Sequence, residues 1–227
     1  MIGWKPKPFI FVHIPKCAGT SIEKALIPIV SDYTDFKDFC EKERTKFWLP
    51  GNKGLQHSKI RRYGQCFNLN EYFKFTFVRN PWDRAISQIL YLRAKNGSST
   101  FSGNNFKNHL KIYCSSNKNV QGHDLGACQL DYLLDDSGKL SVDFVAKFES
   151  LLPDFKTICS NLNINTIPYL PHIFNSFRNR HYSTYYDMES KEWIRVRFAK
   201  DIEFFGYSFE SQAETETLCN QNYKEAL

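Results

Sequence analysis

The sequence predicts an α/β fold on a largely parallel sheet. Three strand-like segments, 9–14, 72–79 and 142–149, each run into a helical pattern, at about 20–27, from 81 onward and at about 151–162. Strands and helices that alternate in this way imply parallel strands joined by helical crossovers. At 227 residues the chain sustains one α/β domain with a sizeable core and is only marginally long enough for two. No internal repeat and no acceptable linker divides it, so a single domain over 1–227 is expected.

Taken in order, "FIFV" and the residues behind it read as a buried first strand, then a turn at 15–19 and a helix that Pro28 ends. Residues 31–48 are mixed and read as helical. In "YFKFTFVR" (72–79), Phe73, Phe75 and Phe77 alternate onto one face. Asn80 then suits a helix N-cap, Pro81 the first helical position and Asp83 the first turn, and Ala85, Ile86, Ile89 and Leu90 recur at helical spacing. Residues 94–124 are rich in Ser, Asn, Gly and Lys and read as a variable surface excursion, with one helical piece at about 105–113. The last elements are a mostly helical stretch at 188–205 and its terminator, Gly206.

Composition narrows the function. Hydrophobic residues make up 42% and charged residues 24%, as in ordinary globular proteins. A formal charge of +6 suits an anionic ligand, but the basic residues are scattered with no run of five, which argues against a dedicated nucleic-acid binder. No segment approaches the ~20 apolar residues of a membrane span, and the N-terminal apolar run is too short for a signal-peptide core. Seven widely spaced cysteines form no C-x-x-C pair and no metal-ligand spacing, so reduced thiols, a soluble cytoplasmic setting and no metal site are expected.

The first turn, "HIPKCAGTS" (13–21), carries the chemistry. A strand, a small-residue turn and a helix start offer unpaired N–H groups and a favourable dipole to an anion. Lys16 adds a cation, and Thr20 and Ser21 add hydroxyls. Thr20-Ser21-Ile22-Glu23 also matches a capping box, in which Thr20 does no more than start the helix. The Walker A pattern is not met: Gly19 is followed by Thr20 and Ser21 with no Lys between, and no strand ends in an obvious magnesium-holding carboxylate. A standard ATPase or kinase is therefore disfavoured. The second piece is "FVRNPWDRAIS" (77–87): Arg79 ends a strand, and Ser87 lies two turns into the next helix, flanked by Arg84 and Tyr91. Arg79 can pair with a carboxylate or fork onto a phosphate; with the first turn, the two units suit a ligand bearing two separated phosphates.

These two stretches resemble the nucleotide motifs of sulfotransferases that use 3′-phosphoadenosine-5′-phosphosulfate (PAPS), and are most similar to sulfotransferase family 2, the carbohydrate sulfotransferase-like group. The resemblance extends through 130–155, "LPHIFNS" (170–176) and 181–209, nearly everything outside the excursion. It implies a P-loop-like three-layer fold with a mainly parallel central sheet flanked by helices. It also implies that Lys16, Cys17, Ala18, Gly19, Thr20 and Ser21 hold the 5′-phosphosulfate, and that Arg79 and Ser87 hold the 3′-phosphate. Cys17 and Ala18 stand where Thr or Gly is common, which leaves the backbone donors in place. PAPS is the implied co-substrate, with PAP as product, and a carbohydrate or other hydroxyl is the implied acceptor.

Sulfuryl transfer rests on positioning and charge stabilisation, with a base for the acceptor proton. His57 lies between the two motifs, where the resemblance places that base, and Lys16 stands beside the leaving phosphate. His13 reads as structural, His172 as a loop support, and His109 and His123 belong to the excursion; His181 is the sixth histidine. Arg61 and Arg62 suit an acidic acceptor, and Arg178, Arg180, Tyr182, Tyr185 and Tyr186 are candidates to close over the nucleotide. Relatives in the Golgi carry an N-terminal anchor, so a catalytic fragment of such an enzyme stands beside the soluble-enzyme reading. A PAP-binding module without catalysis and a P-loop-like phosphotransferase are the competing classes.

Overall fold

In the computed structural model, residues 1–30, 32–43, 45, 56–95, 103–115, 126–171 and 180–210 are described. They form a mixed α/β architecture with a five-stranded, mostly parallel sheet flanked by helices. The chain divides into two compact units, one of Met1–Arg79 with Asn117–Phe174 and one of Asn80–Ser116 with Asn175–Leu227.

The first unit holds the sheet. Its strands are β1 (Ile2–Gly3), β2 (Phe9–Val12), β3 (Tyr33–Thr34), β4 (Phe73–Val78) and β5 (Phe144–Lys147), in the order β3-β1-β2-β4-β5. β2, β4 and β5 are parallel, and β1 pairs antiparallel with β2 and β3. β2 is central, so all four residues of "FIFV" are buried, as expected of a strand covered on both faces. Phe9 pairs in register with Phe73 and Phe11 with Phe75; the Phe11 ring stacks on Phe75 at 5.1 Å, and the Phe9 ring lies tilted 5.8 Å from Phe75. Burying each such ring contributes about 1.5–3 kcal/mol, which makes this row the main support of the parallel pair.

The helices of this unit are α1 (Gly19–Leu26), α2 (Phe36–Lys42), α3 (Ile60–Gly64) and α6 (Leu151–Asn161), the last packed on β5. Asp35 caps α2 by accepting from Asp38 N at 2.8 Å. At the amino edge of the sheet, Lys74 is neutralised: its Nζ lies 2.8 Å from Asp143 and donates to the carbonyls of Leu69 and Tyr72. The carboxyl edge is built differently, and the site is there.

The second unit is helical: α4 (Pro81–Lys95), α5 (Gly103–Ser115), α7 (Met188–Arg197) and α8 (Ala199–Phe205). Asn80 caps α4, its side-chain oxygen accepting from Trp82 N at 3.1 Å, and Pro81 takes the first helical position. Helix α5 falls in the stretch expected to be an excursion, spanning Gly103–Ser115, and buries Phe106, Leu110 and Tyr113. Asp187 and Ser190 form a reciprocal capping box on α7, and Gly206 ends α8 at φ 66°.

Candidate active site

Three parallel strands deliver their carboxyl ends to one edge of the first unit, and the residues just past them meet. After β2 comes the loop His13–Ala18, after β4 comes Arg79, and after β5 comes Phe148. The Arg79 guanidinium lies 3.9 Å from the Phe148 ring centroid, and its Nη1 donates to the Lys16 carbonyl at 3.2 Å. Crevices outside strand carboxyl ends are where open α/β sheets take ligands.

The loop has an unusual backbone. Lys16 (φ 68°) and Ala18 (φ 63°) are both left-handed, on either side of Cys17. An L-residue there costs roughly 1–2 kcal/mol, and such residues build the concavities in which backbone N–H groups collect around an anion. Ala18 is the N-cap of α1 and makes no side-chain cap bond. The capping box read into Thr20–Glu23 does not form: the helix starts at Gly19, and Glu23 is engaged elsewhere. Thr20 and Ser21 therefore lie in the first turn, half-buried; the Ser21 N–H donates to the Ala18 carbonyl at 2.9 Å, so Ser21 would offer a ligand its hydroxyl.

Glu23 takes His13. The His13 Nδ1 lies 3.1 Å from Glu23 Oε1, and His13 is only 3% exposed. Burial by itself would raise the Glu23 carboxyl, but the hydrogen bond and charge of His13 outweigh it, and the group is held below its ordinary value. An ionised carboxylate only accepts, so His13 Nδ1 carries the proton.

His57 reaches the same residue from the other side. Its Nδ1 is 2.9 Å from the His13 carbonyl oxygen, and the two imidazoles meet edge to face at 4.4 Å. A carbonyl cannot donate, so Nδ1 of His57 holds the hydrogen and the neutral ring has its lone pair on Nε2. This is the tautomer and fixed orientation a general base requires.

Lys16 is a half-buried lysine beside Arg79. Burial, and then the Arg79 charge, lower its ammonium to about 8. Lys16 and Arg79 thus set two cationic side chains near enough for the charge of one to act on the other.

Gln129 is the residue that sequence reasoning missed. It is fully buried; Oε1 accepts from Arg79 N at 2.8 Å and from Cys17 Sγ at 3.2 Å, and Nε2 donates to Arg79 O at 2.8 Å. Nothing in "GACQLDY" marks it, because its partners are 50 and 112 positions away.

The remaining candidates are placed as follows. Ser87 lies on α4 of the second unit and is buried there. In the same unit Tyr182 OH accepts from Glu210 N at 2.8 Å, Tyr186 OH donates to Trp82 O at 2.8 Å, and Arg180 lies 4.9 Å from the Tyr185 ring. Tyr182 OH also accepts from Asn80 Nδ2 at 3.4 Å, so both hydroxyls are engaged within this unit. His181 caps the turn at 182–185, accepting from Ser183 N, and His109 is exposed on α5. His123, His172 and Arg178 lie outside the described residues. Arg61 and Arg62 are exposed on α3, while Ile60 and Tyr63 bury its other side. The six described cysteines are thiols, and no disulfide joins them. Among the described residues, no cluster of three or more His, Cys, Asp or Glu is arranged to hold a metal, and no helix is long and apolar enough to cross a membrane.

A family model described as the sulfotransferase family matches residues 5–208, which run through both units. The chain belongs to the sulfotransferase family, with the family 2 type of match. Sulfuryl transfer to a hydroxyl-bearing acceptor is the activity that membership supports. No curated protein and no solved structure matches the chain.

Proposed function

We propose that this protein transfers the sulfuryl group of PAPS to an acceptor hydroxyl, with a carbohydrate as the acceptor class. The observation that carries the reading is the loop: two left-handed residues around Cys17 open directly into α1, and Arg79 lies on the Lys16 carbonyl. Such a loop and helix start suit the 5′-phosphosulfate. Lys16, Gly19, Thr20, Ser21 and the backbone of Cys17 and Ala18 are its proposed ligands. Arg79, with its fork set by Phe148, is proposed for the 3′-phosphate; Ser87 is proposed for that phosphate on its motif alone.

In this reading the acceptor oxygen attacks sulfur in line as the bond from sulfur to the 5′-phosphate oxygen breaks. The acceptor proton passes to Nε2 of His57, and PAP leaves with its new negative charge facing Lys16 and the N-terminus of α1. The His13 carbonyl keeps His57 in the required tautomer. The exposed pair Arg61 and Arg62, three and four positions after Ser58, favours an acidic sugar.

Calorimetric titration tests the reading, with PAP alone and separately with ATP and Mg²⁺. Micromolar binding of PAP without metal is expected. Binding of ATP with Mg²⁺ and none of PAP would replace it with a phosphotransferase.

A further inference from the structure

We infer that Gln129 is a positioning residue that holds the loop after β2 and the end of β4 in one register, so that a ligand with two phosphates meets both at once. The inference rests on the nucleotide site proposed above.

A glutamine side chain carries the same amide as a peptide unit, and here it is used as one. β4 ends at Val78, whose partner on β5 is Lys147. One residue further on, Gln129 takes both backbone groups of Arg79, accepting from its N–H and donating to its carbonyl, each at 2.8 Å. Gln129 thus extends the pairing of β4 past the end of the sheet and keeps Arg79 in line with the strand. The same Oε1 accepts the thiol of Cys17, at 3.2 Å, between the two left-handed residues of the loop. The Arg79 side chain then returns to that loop through the Lys16 carbonyl. The contacts close a ring: Arg79 backbone, Gln129, Cys17, Lys16, Arg79 guanidinium.

Each member of the ring has a chemical requirement. An apolar residue at 129 would leave a buried N–H and a buried carbonyl of Arg79 without this partner. A glutamate accepts but does not donate when ionised, so it would set a carboxylate against the Arg79 carbonyl. Only an amide of this length serves the donor, the acceptor and the thiol together.

The test compares PAP with 5′-AMP, which differs from it only in lacking the 3′-phosphate, by calorimetry on the full chain carrying Gln129→Leu, Gln129→Glu or Cys17→Ala. Wild type is expected to prefer PAP. Gln129→Leu is expected to weaken PAP by roughly 10–100-fold and 5′-AMP by much less, so that the preference collapses. In steady state the KM for PAPS rises while the acceptor KM holds. In an Arg79→Ala background, Gln129→Leu is expected to cost little more, because the two act through one contact set.

Equal losses for both nucleotides, or full additivity with Arg79→Ala, would reduce Gln129 to a core residue and overturn the inference. If Gln129→Leu does not fold, Cys17→Ala, which removes the thiol from Gln129 Oε1 and from its longer 3.6 Å contact with the Pro15 carbonyl, must show the same selective loss in smaller measure, or the inference fails. A wild type that binds PAP through Arg79 yet ignores Gln129 overturns the inference alone. A wild type that binds no PAP overturns the nucleotide site with it.

Discussion

The imidazole of His13 occupies the space where residue 19 would carry a β-carbon: one built on Gly19 falls 2.1 Å from His13 Cδ2 and Nε2. Gly19 is thus required by a close approach. The ring that fills that space is itself pinned by Glu23, by stacking on Phe11 at 5.6 Å and by the edge contact with His57. The loop after β2 and the candidate base therefore lean on one buried residue.

Gly19→Ala should move that ring or the loop. Overpacking of this kind costs about 1–3 kcal/mol, and the displaced parts are the ones proposed to hold PAP and to orient His57. Lowered Tm together with a roughly tenfold or greater loss of PAP affinity is expected; thermal melting and calorimetry check it. Unchanged PAP affinity would show that the loop tolerates the shift.

PAP affinity should fall as pH rises through about 8. The Lys16 ammonium lies there because of burial and Arg79, and only its charged form attracts the phosphate. PAP phosphates are fully ionised by then, so the decline, approaching about tenfold per pH unit, belongs to Lys16. Stability of the ligand-free protein has the opposite sign. Its folded Lys16 pKa is below the ordinary 10.5, so between about 8 and 10.5 the unfolded state binds more protons and this group favours folding increasingly with pH. Calorimetry and melting over pH 7–10 separate the two slopes, and Lys16→Ala should flatten both while lowering turnover more than PAP affinity.

His57→Ala should reduce turnover about 100-fold or more and leave PAP affinity in place, since its proposed role is to take the acceptor proton while anchored on the His13 carbonyl. Single-turnover kinetics beside PAP titration makes the comparison. A near-normal rate would move the base elsewhere.

Arg79→Ala should weaken PAP by about 1–3 kcal/mol, the range of a lost charge-assisted contact. Arg79→Lys should recover little of it, because an ammonium has neither the fork nor the planar face that lies on Phe148. A lysine variant with wild-type affinity would show that charge alone matters at this position.

The strands and helices were legible because their signals are local. Alternating Phe73, Phe75 and Phe77, the Asn80-Pro81 helix start, and Gly206 after α8 each act through neighbouring residues, and each appears in the structure. Sulfotransferase membership was legible too, through two short motifs in the right order. The capping box at Thr20–Glu23 does not form because the left-handed Ala18 starts the helix two residues before Thr20, and Glu23 is held by the buried His13.

By itself, then, the sequence determined the parallel α/β architecture, the glycine loop and the cations that follow two strands. Only tertiary structure decided that Arg79 lies on the Lys16 carbonyl, that His13 stands under Gly19 and against His57, and that Gln129 joins Arg79 to Cys17. The reason is physical. Strand and helix formation is set by the period and capping of adjacent residues, whereas a site is set by which strand ends the sheet order brings side by side, and that order arises from burying β2 at the centre.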